Sequence, residues 1–126
     1  MEPQDKLVVV VDDEVPLVDV ICVALQEDGY QTTGCVRGQD AYPTIRQMQP
    51  QLVILDIHMP GVDGVQVFRL LRADPATLHI PVIFLTANAP VLAQRLPDYQ
   101  RMGARLLPKP FAIEDLLTVV NAVVPA

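Results

Sequence analysis

The sequence predicts an α/β domain of five βα units around a mostly parallel sheet with helices on both faces. Three observations carry that expectation. Short apolar runs recur at Lys6–Val11 (KLVVVV), Leu52–Leu55 (LVIL) and Pro81–Leu85 (PVIFL), continuous rather than alternating, as strands covered on both faces read. Segments of helical periodicity lie between the runs. Each run also ends in polar residues suited to chemistry: Asp12-Asp13, Asp56 and Thr86, with the weaker run Arg105–Pro108 leading into Lys109. Carboxyl ends of parallel strands collect at one edge of the sheet, where open α/β folds bind ligands. The chemistry is therefore expected at that edge.

After the first strand, Val15, Leu17, Val18, Ile21, Cys22 and Leu25 recur at three- and four-residue spacing, and Gly29 supplies a stop. Pro16 fits the first turn of such a helix. Gln31–Val36 alternates weakly and reads as an edge strand. Gln39–Met48 reads as a second helix in which Pro43 is expected to fall in the first turn or to shorten the helix. Leu52–Asp56 follows Pro50, and the loop HMPGVDG is dense in turn formers. Val65–Arg72 is amphipathic, with Val67, Phe68, Leu70 and Leu71 expected mostly inward. The strand ending at Thr86 is followed by an ambiguous helix from about Pro90. The short Arg105–Pro108 strand and a last helix from about Ile113 to Val124 complete the pattern. Pro97 removes a helix donor and clashes with the preceding turn, so the helix before it is expected to end near Leu96, with Pro97–Met102 forming a separate turn or short helix.

A chain of 126 residues is the length of one domain, 1–126, large enough to bury a core without disulfides. It is 51% hydrophobic, yet no apolar stretch approaches the roughly 20 residues of a membrane span. The opening MEPQDK does not resemble a signal peptide. A cytoplasmic protein without membrane contact is the expectation. Nine Lys and Arg stand against 15 acidic residues, a net charge of -6, which argues against nucleic acid as a direct partner. Cys22 falls in a helical pattern and Cys35 in a strand pattern, so both read as small buried hydrophobes rather than as a disulfide or metal pair.

Three carboxylates crowded together repel one another and raise the pKa of at least one unless a cation enters. A hard divalent ion bound through oxygen resolves that conflict, and Mg2+ is held by one or two carboxylates, waters and phosphate oxygens. Asp13 and Asp56 are the candidate direct ligands, with Asp12 acting through water. Lys109 and Thr86 add a positive charge and a hydroxyl donor, which suit the charge on a phosphoryl group in transfer. A carboxylate can itself be the nucleophile, and Asp56, alone at the end of the central strand, is best placed.

With VVVVDDE, LVILDIHMPGVDG, VIFLTA and LPKPF in order over nearly the whole chain, the sequence resembles the response-regulator receiver domains of two-component signalling. The resemblance implies a flavodoxin-like (βα)5 fold with strand order 2-1-3-4-5. It implies that Asp56 is the phosphoacceptor, charged by a histidine kinase, a histidine phosphotransfer protein or a small phosphodonor with Mg2+. Asp13 and Asp56 would bind the ion by side chain, His58 by its backbone carbonyl, and Asp12 through a metal-bound water. Thr86 would bond a phosphoryl oxygen and shift inward on activation, Lys109 would pair with the phosphoryl group, and small Ala87 would leave access and present its N–H. The Lys109-Pro110 bond would be cis. The chain would catalyse only its own phosphorylation and dephosphorylation, and its output would pass to a downstream protein or a fused output domain.

One departure stands out: where the family usually has Tyr or Phe three residues before the lysine, this chain has Leu106, with no ring to turn inward. With the unusual Pro97 segment, this places the specialisation on the partner-reading face. His58, on an acidic rim, is expected to tune attack of water on the acyl phosphate rather than to ligate metal by its imidazole. Asn88 is expected to cap the following helix. Competing readings are a pseudo-receiver interaction module, a Mg2+-dependent phosphatase with an aspartyl nucleophile, and a flavin-binding or structural module. The phosphatases generally place a second aspartate where this chain has His58. The acidic first loop opposes a flavin phosphate.

Overall fold

The computed structural model describes residues 6–87 and 95–124. The chain runs β1 (Leu7–Val11), α1 (Val15–Glu27), β2 (Gln31–Cys35), α2 (Gly38–Met48), β3 (Leu52–Asp56), α3 (Gly64–Ala73), β4 (Val82–Thr86), α4 (Leu96–Arg101), β5 (Ala104–Pro108) and α5 (Ile113–Val123). The five strands pair in parallel in the order β2-β1-β3-β4-β5, the order the resemblance implies.

Alternation along each strand sorts the core into two layers. Val9, Val11, Val53, Leu55, Val82 and Phe84 face α2, α3 and α4, where Ile45, Phe68, Leu71 and Tyr99 meet them. Val8, Val10, Ile54, Ile83 and Leu85 face α1 and α5, against Ile21, Leu25, Leu116 and Val120. Every residue of β1, β3 and β4 is buried, which is why those runs are apolar throughout; β2, at the edge, is polar and half open.

Register delivers the functional residues to one place. Val11 pairs with Leu55, so Asp12 and Asp56 come next side by side; Thr86 pairs with Pro108, so Lys109 follows one step beyond the threonine.

Some local expectations are corrected. Pro43 lies inside α2 rather than in its first turn. It is exposed, as is Gln39, whose carbonyl loses the proline's missing donor, so water can take that acceptor and the helix continues. Leu70 points outward at 48% exposure, because the inward stripe of α3 is Val67, Phe68 and Leu71. β1 begins at Leu7 and β2 ends at Cys35, one residue inside the expected limits in each case. A separate short helix does occupy Leu96–Arg101, with Pro97 in its first turn. The expected end of the helix before it, and the capping role of Asn88, lie outside the described residues. Cys22 and Cys35 are free, and burial raises both thiols above their ordinary pKa, so neither is poised as a thiolate.

α3 is docked against the end of the central strand. Asp63 caps it reciprocally with Gln66, the Gln66 N–H donating to Asp63 Oδ1 at 2.9 Å and the Asp63 N–H to Gln66 Oε1 at 2.8 Å. The Gly64 N–H donates to the Ile57 carbonyl at 2.9 Å, and a Cβ at Gly64 would lie 2.2 Å from the Asp56 carbonyl oxygen. Backbone against backbone has no flexible end to yield. Gly64→Ala is therefore expected to cost more than about 2 kcal/mol in urea unfolding, in the range of overpacking in a filled core.

Candidate functional site

The site is built at the ends of β1, β3, β4 and β5. Asp12 is fully buried, and its backbone N–H donates to the Cys35 carbonyl at 3.1 Å. Its two carboxylate oxygens have separate duties: Oδ1 accepts the Glu14 backbone N–H at 2.9 Å, and Oδ2 accepts Lys109 Nζ at 2.8 Å. Asp56 is 3% exposed, and Asp13 is open to solvent. Asp12, Asp13 and Asp56 each offer an oxygen, and these atoms lie within 4.8 Å of one another. Hard oxygen donors at that spacing, with one exposed member to admit an ion, fit a divalent cation such as Mg2+.

Lys109 comes from the far side. Its N–H donates to the Thr86 carbonyl at 2.8 Å, which ties the lysine backbone to the end of β4. Its ammonium, 14% exposed, lies 2.8 Å from Asp12, 3.3 Å from Glu14 and 3.4 Å from Asp56. Desolvation opposes the charge, but the hydrogen bond to Asp12 and the charges of Asp56 and Asp12 outweigh it, so the lysine pKa is raised. One ammonium does not neutralise the cluster. Burial first, and the Asp12 charge second, raise the Asp56 carboxyl from its ordinary 3.8 to about 6, against the opposing pull of Lys109.

Thr86 is buried at the end of β4, and Ala87 is exposed just beyond it. The Lys109-Pro110 bond is cis, as the resemblance implies. His58 is exposed, and its imidazole is not one of the three ligand groups that come together among the described residues. Leu106 is half-buried, pairs with Phe84, and packs on the layer under α3 and α4. An aromatic ring does reach that layer from elsewhere: Tyr99 of α4 meets Phe68 and Phe84 with ring centroids 5.5 and 5.7 Å apart. Sequence reasoning missed Tyr99, because its register depends on where α4 starts. It also gave no role to Glu14, whose only signal was its place beside the acidic pair.

The family model for the response regulator receiver domain matches residues 8–121. The chain is 32% identical over 118 residues to the phosphate regulon transcriptional regulatory protein PhoB of Pseudomonas aeruginosa, covering 94% of this chain and 51% of that protein. It is 30% identical over 122 residues to the DNA-binding response regulator MtrA of Mycobacterium tuberculosis, covering 97% of this chain and 52% of that protein. The chain thus spans about half the length of these curated relatives. Among solved structures it is similar to the receiver domain of a sensor histidine kinase from Pseudomonas aeruginosa, which holds a magnesium ion in its active-site cleft. That match is 25% identical with a TM-score of 0.82, covering 96% of this chain and 98% of that one. The expectation of no direct nucleic-acid partner finds no support in these relatives, since MtrA is named for DNA binding. No helix among the described residues is long and apolar enough to cross a membrane.

The raised carboxyl pKa sets a pH dependence. Because the folded state holds the Asp56 proton more tightly than the unfolded chain, ionising this group weakens the fold as pH rises from 3.8 to about 6. In chelator at pH 7, Asp56→Asn is expected to be more stable than wild type by up to about 3 kcal/mol. That advantage should shrink as pH falls through 6 and vanish below about 4, measured by urea unfolding across the range.

Proposed function

The chain belongs to the response regulator receiver domain family, and we propose that its 126 residues form a single receiver domain in which Asp56 accepts a phosphoryl group. The donor in this reading is a histidine kinase or histidine phosphotransfer protein. The observation that carries it is a buried carboxylate at the end of the central strand, among two further carboxylates within 4.8 Å and a lysine at 3.4 Å.

Asp13 and Asp56 would hold Mg2+ by side chain and His58 by its backbone carbonyl, with Asp12 orienting a bound water. Once bound, Mg2+ would screen the carboxylates from one another and from an incoming phosphoryl group. The chain's own residues do the rest. An Asp56 oxygen attacks phosphorus, the bond from phosphorus to the donor's imidazole nitrogen breaks with its electron pair going to that nitrogen, and an acyl phosphate remains on Asp56. A carboxyl titrating near 6 is mostly ionised at neutral pH and more basic than an ordinary aspartate, so it is the better nucleophile. Lys109 carries a charge to phosphoryl oxygen, and the Thr86 hydroxyl and Ala87 N–H are the remaining donors at the rim.

Receiver domains are signalling domains rather than classical enzymes, and the group transfer here serves a switch. Two added negative charges beside Lys109 and Thr86 bias the layer that holds Leu106 and Tyr99, and so the surface of α4, β5 and α5 offered to a downstream protein or a fused output domain. The DNA binding in the relatives' names belongs, on this reading, to such an output. A cytoplasmic setting matches kinase-driven signalling. On incubation with a small phosphodonor and Mg2+, intact mass should rise by one phosphoryl unit. The gain should be labile, absent in Asp56→Asn and absent in chelator. A gain retained in Asp56→Asn, or none with any of several donors, would overturn the assignment.

A further inference from the structure

Glu14 is the residue the phosphorylation chemistry leaves unused, and its placement is specific. It is the N-cap residue of α1, yet its side chain makes no cap hydrogen bond to its own helix. Asp12 Oδ1 instead fixes the Glu14 backbone N–H, and the Glu14 carboxylate reaches Lys109 Nζ at 3.3 Å. The ammonium therefore faces three carboxylates. Two of them, Asp12 and Asp56, have side chains 0% and 4% exposed, whereas that of Glu14 is 63% exposed. The lysine and Glu14 also share the wall of a cleft of about 530 Å3, floored by Leu17, Val20 and Phe111, that opens beside the site.

Lysine has three N–H donors, and a phosphoryl group on Asp56 must draw at least one of them. Asp12 cannot let go without leaving a buried charge unpaired, and Asp56 is the group being phosphorylated. Glu14 alone can return to water at little cost. We propose that Glu14 is a positioning residue that holds the Lys109 ammonium while Asp56 is unphosphorylated and competes with the phosphoryl group for it, so that it slows charging of Asp56. The inference rests on the receiver reading given above. In the step itself an Asp56 oxygen bonds to phosphorus, and the donor's leaving group departs with the electron pair of the broken bond. Release of Lys109 from Glu14 to the phosphoryl oxygens accompanies it.

The test compares charging rates of wild type, Glu14→Gln and Glu27→Gln with phosphoramidate and Mg2+, followed by intact mass at low salt and at about 0.5 M salt. Glu27 ends the same helix and carries the same charge away from Lys109, so its replacement controls for net charge. Glu14→Gln is expected to charge about threefold faster than wild type, the size of a partly exposed ion pair. Because the Glu14 carboxylate is largely exposed, the ratio should narrow towards one at high salt, as a solvent-facing ion pair is screened. Glu27→Gln should match wild type. If Glu14→Gln charges at the wild-type rate at low salt, or if Glu27→Gln is accelerated as much, the proposal is wrong while the receiver reading stands. If no variant and no wild type is charged, both fall together.

Discussion

The charge crowding at the carboxyl edge of the sheet is the constraint around which the rest is arranged. Asp12 and Asp56 are carried out of neighbouring strands in register and are both buried. Two carboxylates in that position are tolerated only with compensation, and the fold brings one ammonium, from Lys109 at the opposite side of the edge. Several features serve that arrangement. The Lys109 backbone is tied to Thr86, Asp12 is tied to β2, and α3 comes close enough to Asp56 that only a glycine fits at its first turn. The compensation is incomplete, and the remaining charge is what the proposed divalent ion would offset.

The same strands that place the chemistry also connect it to a distant face. Thr86 and Phe84 point to the same side of β4, and Phe84 packs against Phe68, Tyr99 and the Leu106 layer. Arg72 closes this layer from the last turn of α3: its guanidinium lies 4.7 Å from the Phe68 ring centroid, and its Nε donates to the Met102 carbonyl at 2.5 Å, at the turn between α4 and β5. Under the proposed switch, a shift at Thr86 would meet close-packed rings rather than a loose core, and close-packed contacts move between discrete arrangements. In this chain a ring at that junction belongs to α4, where Tyr99 packs in the layer that Leu106 joins.

The fold was legible because the physics that sets it is repetitive. Strands buried on both faces must be apolar throughout, and their polar terminators must fall at one edge, so the sequence alone groups Asp12, Asp13, Asp56, Thr86 and Lys109. Features that depend on which way a side chain faces were less legible. Pro43 inside α2 is acceptable only because it faces water, and Leu70 is turned out by the rotation of α3. Glu14 looks like an ordinary helix-start acid, and its contact with Lys109, from the other end of the chain, depends on a turn fixed by its near neighbour Asp12. Such a contact has no periodicity to announce it.

The account turns on Asp56 being held against its charge by burial and by Asp12. A carbon-13 NMR titration of its carboxyl in metal-free protein measures this directly, with Asp56→Asn assigning the resonance. The expected midpoint is about 6. Saturating Mg2+ should move it well below that value as the ion takes over the compensation. A midpoint at or below about 4 without metal would show that Lys109 already neutralises the cluster, and the electrostatic basis of the site would be refuted.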